Sequence, residues 1–484
     1  MIKIPSLSDA LIPIVSLILM LSLSVYLFGS DSSYGPNQIV LIIAAAIATI
    51  VAIKNGHRWK DIQKAIVAGI GTAMGAIMIL LAVGGLIGTW LMAGTVPSLI
   101  YFGLELLHPN FFYATACLIC AVASLATGSS WTVAGTLGVA LVGVAMGLEL
   151  SPAIAAGAII SGAYFGDKMS PLSDTTNLAP AVVATDLFTH IRHMAWTTTP
   201  SFLITFIIFV IIGLGVDVEV DSSTLRELMN TLDGAFNITP WALLPLLVVF
   251  YMAYKKVPPL PTILFGALFG GILAIAIQAE VVLAFADSPM LPVWLAMTKG
   301  VCLALADGFV GDTGNAGVDA LLTRGGMSSM LLTVWLILTA LAFGSVLEFG
   351  GMLMRLIEAT LKVAKSTGSL VLTVVLSCIG INIVAADQYI SIVLPGKLYK
   401  AEFQKRNLDQ KNLSRIIEDS GTLTSPLVPW NTCGAYMAVT LGVATFAYLP
   451  FAFFNLINPI VSVIYGYTGF TIKRLDGTLE SVAE

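Results

Sequence analysis

Apolar runs of about membrane-spanning length alternate along the chain with short polar connections, a pattern that predicts helices over 11–28, 38–53, 65–92, 111–127, 133–148, 153–165, 200–215, 241–254, 261–278, 328–349, 368–386 and 450–467. Two places break the pattern. Between Gly162 and Pro180 the sequence packs Asp167, Lys168, Ser170, Ser173, Asp174, Thr175, Thr176 and Asn177 together with Pro171 and Pro180. Between Glu418 and Cys433 a second stretch carries Ser425-Pro426-Leu427 and Asn431-Thr432. Such polar, proline-broken segments cannot face lipid, where each unpaired backbone or charged group costs several kcal/mol. At membrane depth they must line a cavity or pack on protein, which makes them binding-site candidates. Two smaller interruptions, Gly128-Ser129-Ser130-Trp131 and Asp387-Gln388-Tyr389, mark further unwound points inside apolar runs.

Composition sets the class. The 484 residues are 57% hydrophobic and 11% charged, against about a quarter charged in a soluble domain, and the mean hydropathy is +0.93. This is the composition of an all-α polytopic membrane protein. The net charge of -5 and the scatter of basic residues through short loops exclude a nucleic-acid partner. Residues 1–10 precede an apolar run with no small-residue cleavage site, so the first helix is expected to be retained. Cys117 and Cys120 sit at C-x-x-C spacing on an apolar helix with no second pair, which reads as two buried thiols. His190 and His193 flank Arg192 in what reads as a solvated loop over 186–199. No nucleophile-and-base motif supports an intramembrane enzyme, and no cofactor motif is present.

The loops then give topology. Lys54, Arg58, Lys60 and Lys64 against Asp61 place 54–64, and with it the N-terminus, in the cytoplasm. Residues 93–110 carry no Lys or Arg and read as an external loop. Asp217, Glu219, Asp221, Glu227 and Asp233 make 216–239 an acidic external linker between a first repeat, 1–215, and a second, 240–470, followed by a cytoplasmic tail, 471–484. The polarity of 279–324 assigns it no side. A shift of about 255 residues superposes Gly88 on Gly344, Gly94 on Gly350, and Ser170-Pro171-Leu172 on Ser425-Pro426-Leu427. Basic 54–64 then falls on acidic 310–322, and uncharged-to-acidic 93–110 falls on basic 355–365. The halves are therefore expected to be inverted, with broken helices or re-entrant hairpins meeting at the midplane, the architecture of secondary transporters.

Both breaks are rich in carboxylate, hydroxyl, amide and backbone carbonyl, the ligands of a hard monovalent cation such as Na⁺. A carboxylate in such a cavity holds either H⁺ or Na⁺, and that competition is the simplest route to exchange. The candidate ion-binding and proton-carrying residues are Asp167, Asp174 and Asp387, with Asp174 the leading ligand. Glu348 is a further candidate near the end of a span, and Lys168 could either pair with Asp167 or meet the carboxylate of an organic substrate.

Gly166-Asp-Lys-Met-Ser-Pro-Leu-Ser-Asp-Thr-Thr-Asn-Leu-Ala-Pro180, with Asp186-Leu-Phe-Thr-His-Ile-Arg-His-Met194, Ala386-Asp-Gln-Tyr-Ile-Ser391 and Ser425-Pro-Leu-Val-Pro-Trp-Asn-Thr432, resembles the NhaC family of Na⁺/H⁺ antiporters nearly end to end. The resemblance implies a bacterial inner-membrane, multi-pass antiporter of the ion transporter superfamily, with both termini cytoplasmic and no cofactor. Na⁺ and H⁺ are its implied substrates, and the lipid bilayer and a second copy of the chain its candidate partners. In that superfamily paired polar breaks, often containing Asn-Thr, bind Na⁺. Asn431-Thr432 fits, whereas Thr175-Thr176-Asn177 departs from the usual Ser-Asn-Thr. Carried residue by residue, the implied oxygen ligands are Ser170, Ser173, Thr175, Thr176, Asn177, Asn431 and Thr432, with Asp174, Thr175, Asn177, Asn431 and Thr432 as the Na⁺ set. The family also resembles malate/lactate antiporters, so Na⁺- and H⁺-coupled exchange of a small carboxylate or amino acid is the alternative.

Overall fold

The computed structural model describes residues 2–28, 32, 35–216, 222–362 and 364–475. The first half comprises α1 (Leu7–Phe28), α2 (Pro36–Lys54), α3 (Trp59–Thr72), α4 (Met74–Met92), α5 (Thr95–Leu106), α6 (Phe112–Thr127), α7 (Ser130–Val133), α8 (Val139–Gly147), α9 (Pro152–Met169), α10 (Asp174–Val183) and α11 (Leu187–Leu214). Then come α12 (Ser222–Ala235), α13 (Leu244–Tyr254), α14 (Pro259–Ile277), α15 (Ala279–Ala286), α16 (Val293–Ala306) and α17 (Ala316–Leu322). The last part is α18 (Leu331–Phe349), α19 (Met352–Leu361), α20 (Thr367–Val384), α21 (Gln388–Lys405), α22 (Gln410–Ile417), α23 (Thr432–Leu441), α24 (Thr445–Tyr448) and α25 (Phe453–Thr468). Among the described residues nine helices are long and apolar enough to span a bilayer, and two bent pairs raise the number to eleven. The protein is a multi-pass, all-helical membrane protein.

Three sequence expectations change, and one unassigned segment takes shape. Residues 186–199 are no loop: Asp186 caps α11, its carboxylate accepting from Thr189 N at 2.8 Å, and the helix runs unbroken through His190, His193 and Pro200. Residues 93–110 contain the apolar helix α5 rather than an open loop. The run over 65–92 divides at Ala73 into α3 and α4. The segment 279–324 holds three helices and a backbone bridge between Phe309 and Arg324. Of the expected acidic linker, 216 and 222–239 are described, including α12, while Asp217, Glu219 and Asp221 lie outside the described residues, as does the tail beyond Leu475.

The break-bearing helices pack more closely than large side chains allow. Gly162 and Gly166, one helical turn apart on α9, face α6 so tightly that a Cβ on either would lie 2.0 Å from the Cys117 carbonyl oxygen or 2.3 Å from that of Ala121. Without hydrophobic drive between helices in lipid, small residues at such crossings let backbones dock. This contact fixes the end of α9, where Asp167 follows, and it explains Cys117 and Cys120 as buried packing residues. Replacing Gly166 by Val should therefore prevent recovery of folded protein, measured as monodisperse material after detergent extraction, while Gly71→Val, where nothing lies within 4 Å, should be tolerated.

Left-handed residues punctuate the two halves at matching places, about 258 residues apart. Gly94 precedes α5 as Gly351 precedes α19, Gly128 precedes the break before α7 as Ala386 precedes that before α21, and Ala184 ends α10 as Gly442 ends α23. The S-P-L stretches lie 255 residues apart instead: Ser170 precedes the cap of α10, Ser173, by three residues, whereas Ser425 precedes the cap of α23, Asn431, by six, and α22 continues into a π-helical turn, Glu418–Thr422.

Candidate functional site

Local chain chemistry creates four short helix starts around one cavity. Gly128 turns the chain left-handed and Ser129 caps α7, its hydroxyl accepting from Thr132 N at 3.2 Å. Ala386, at φ 57°, does the same before Asp387, whose carboxylate caps α21 by accepting from Ile390 N at 2.9 Å. Ser173 caps α10 and Asn431 caps α23, the latter accepting from Cys433 N at 3.0 Å. Such caps satisfy the orphan N–H groups of interrupted helices and aim their positive ends at the cavity.

The cavity measures about 530 Å³ and is walled by α4, α7, α9, α21, α23 and the junction between α13 and α14, residues 253–262. Asp167 and Asp387 are buried in its wall, and Thr432 joins them from the second half. Asp167 Oδ2 accepts from Ser130 N at 3.1 Å and Ser130 Oγ at 2.6 Å, while its Oδ1 has no hydrogen-bond partner. Thr432 N donates to the Ala386 carbonyl at 3.0 Å, stitching the two second-half breaks together. Asp174, Tyr389 and Lys256 are exposed lining residues and form the rim. There the Tyr389 hydroxyl donates to Asp174 across the two halves. Trp131 closes another wall by stacking on Tyr436 at 4.0 Å, and the Tyr436 hydroxyl donates to the Trp131 carbonyl at 2.7 Å.

The structure thus gathers three of the sequence candidates, Asp167, Asp387 and Thr432, inside the cavity and leaves Asp174 at its mouth. The others brace the breaks. Thr176 Oγ1 donates to the Lys168 carbonyl at 2.9 Å, the Asn177 amide donates to Ser173 O at 2.6 Å, and Ser170 Oγ accepts from Leu172 N at 3.3 Å. Ser173 and Thr175 share a hydroxyl contact of 3.1 Å. Asn431 donates to Asn382 Oδ1 at 3.1 Å, so its effect on the cavity runs through the seating of α23. Glu348 is exposed at the end of α18 and does not line the cavity. Lys168 points the other way: fully buried, its ammonium pairs with Asp419 and donates to Asn458 Oδ1 at 3.0 Å. Thr197 Oγ1 also donates to Asp419, at 3.1 Å, and Arg415 Nε lies 3.9 Å from it.

His190 and His193 belong to this buried side, not to a solvated face. His190 Nδ1 meets Ser414 Oγ at 2.8 Å and His193 Nε2 meets Asn412 Oδ1 at 3.2 Å, because α11 runs alongside α22. Sequence reasoning also passed over Ser130 and Gln388 as site residues. Gln388 lines the cavity and its Oε1 accepts from Ser425 Oγ at 3.0 Å and Cys433 Sγ at 2.6 Å. The available signal for both was their place one step after a helix break.

Residues 162–470 match the model of the Na⁺/H⁺ antiporter family. The chain belongs to that family. It is similar to the Na⁺/H⁺ antiporter NhaC of Alkalihalophilus pseudofirmus, 40% identical over 441 residues and 91% of either chain. The malate-2H⁺/Na⁺-lactate antiporter of Bacillus subtilis is 37% identical, covering 97% of this chain and 96% of its own. The arginine/ornithine antiporter ArcD of Halobacterium salinarum is 35% identical, covering 98% and 94%. The family is one of transporters, not enzymes.

Proposed function

We propose that the protein exchanges Na⁺ for H⁺ across a bacterial inner membrane by alternating access. The observation that carries this reading is Asp167: buried in the cavity wall, held by Ser130 through one oxygen and without a hydrogen-bond partner on the other. Asp387, Thr432 and backbone oxygens freed by the breaks complete an all-oxygen environment of the kind a dehydrated Na⁺ requires. A proton and a Na⁺ compete for the same carboxylates, so loading one releases the other. Asp174 on the rim is the first carboxylate an arriving ion meets. The antiporter names carried by the relatives support the same substrates.

A second reading has a specific observation behind it. About 530 Å³ exceeds what one ion needs, Lys256 supplies a cation at the rim, and two relatives carry the names of organic-substrate antiporters. Lys168, the cation expected to meet such a substrate, is committed to Asp419. Na⁺-dependent dissipation of a pH gradient in everted vesicles decides between them. Na⁺/H⁺ exchange proceeds without added organic acid or amino acid, and dependence on either would favour the second reading.

The matched helix breaks and the reversed charge of corresponding loops support two inverted repeats, 1–215 and 240–470, with both termini cytoplasmic. Cysteines introduced at exposed Lys60 and Gly314 should react with an impermeant thiol reagent from opposite sides, Lys60 from the cytoplasm. Labelling of both from one side would rule out the inversion.

A further inference from the structure

Beside the cavity lies a second set of buried polar atoms that the exchange described above does not use. The π-helical turn Glu418–Thr422 carries them; such turns interrupt regular helix hydrogen bonding and recur at functional sites. Glu418 is fully buried, and neither carboxylate oxygen has a hydrogen-bond partner. Thr422, equally buried, has a hydroxyl without a partner. Thr422 follows Glu418 by four residues in the same turn, and α10, which carries Thr175, packs against that turn. Thr175 in turn touches Ser173 at 3.1 Å, and Ser173 neighbours Asp167 in the cavity wall. Oxygens therefore file from the cavity to the π turn.

Neither nearby cation forms an ion pair with Glu418. Lys168 is taken by Asp419 and Asn458, and Arg415 by Asp419 and Thr471, whose hydroxyl it reaches at 2.8 Å. Four buried carboxylates, Asp167, Asp387, Glu418 and Asp419, thus stand in and beside the cavity against the two buried cations Lys168 and Arg415. A buried carboxylate with no partner is among the most costly arrangements in a protein interior, and an idle buried hydroxyl adds to it. A dehydrated cation ligated by oxygen satisfies both groups at once.

We propose that Glu418, Thr422 and Thr175 form a second, inner site for a hard monovalent cation, filled from the cavity past Asp167 and Ser173. It rests on the reading that Na⁺ is the transported ion and adds a residue pair, Glu418 and Thr422, outside the cavity wall.

Equilibrium binding of radioactive sodium to the purified full chain in detergent tests it. The wild type should saturate with two classes of bound Na⁺. Thr422→Val, close to isosteric, should weaken one class at least about tenfold, as expected for a lost ligand, and Glu418→Gln should remove it, cutting saturable Na⁺ by about half. The remaining class should disappear in Asp167→Asn. Should Glu418→Gln fail to fold, Thr422→Val decides alone. One Na⁺ per chain in the wild type, or wild-type binding in Thr422→Val, overturns the inner site while leaving the exchange reading standing. Absence of any Na⁺ binding by the wild type overturns both.

Discussion

Asp167→Asn should reduce Na⁺-dependent proton movement in everted vesicles to background, a loss of more than about a hundredfold, while the protein still inserts and purifies. The amide oxygen can go on accepting from Ser130 N and Oγ, so the local fold is kept. What disappears is the titrating charge of a buried carboxylate whose second oxygen has no hydrogen-bond partner. Losing a charge-assisted ligand weakens Na⁺ binding by about 1.5–3 kcal/mol, and losing the proton carrier removes the counter-ion altogether. Asp174→Asn should be milder, raising the half-maximal Na⁺ concentration by roughly tenfold with maximal rate retained, because Asp174 is exposed at the rim and already engaged by Tyr389. Equal losses in the two variants would mean that the rim, not the buried wall, holds the ion.

The largest stability effect is expected at Lys168. Its ammonium is fully buried and is the direct partner of Asp419, linking α9 to the second half. Lys168→Met leaves Asp419 with only the Thr197 hydroxyl and a guanidinium 3.9 Å away. Removing one partner of a buried pair costs about 3–5 kcal/mol, most of it from the charge left behind. The variant should lose a large part of its thermal stability in detergent. Adding Asp419→Asn should recover at least part of that loss, since the stranded charge goes with it. A single variant as stable as wild type would show that the pair is dispensable, and a double variant no better than the single one would show that the charge is not the cause.

How much of this was legible in the sequence follows from what each residue does locally. The spans were readable because lipid exposure demands unbroken apolar runs, and the breaks because Gly128, Asp387-Gln388-Tyr389 and the polar stretches end those runs. Asp167, Asp174 and Asp387 were singled out as carboxylates at membrane depth, which is rare enough to be informative. Their ranking was not legible. Asp174 sits amid hydroxyls in sequence, yet α10 turns those hydroxyls back onto the break and leaves Asp174 on the rim, while Asp167 alone enters the wall beside Ser130. The direction of Lys168 was hidden for the same reason, since its partner Asp419 lies 251 residues away. His190 and His193 looked solvated because Arg192 stands between them, but a helix turns neighbours about 100° apart and buries two of the three against α22.

Reconstitution measures directly whether Na⁺ and H⁺ exchange through the carboxylate cavity. Purified protein in proteoliposomes, given an imposed pH gradient and no organic solute, should drive uphill movement of radioactive sodium opposite to the proton flux, and Asp167→Asn should abolish it. Sodium movement that ignores the pH gradient, or that appears only when a carboxylate or amino acid is supplied, would contradict that exchange.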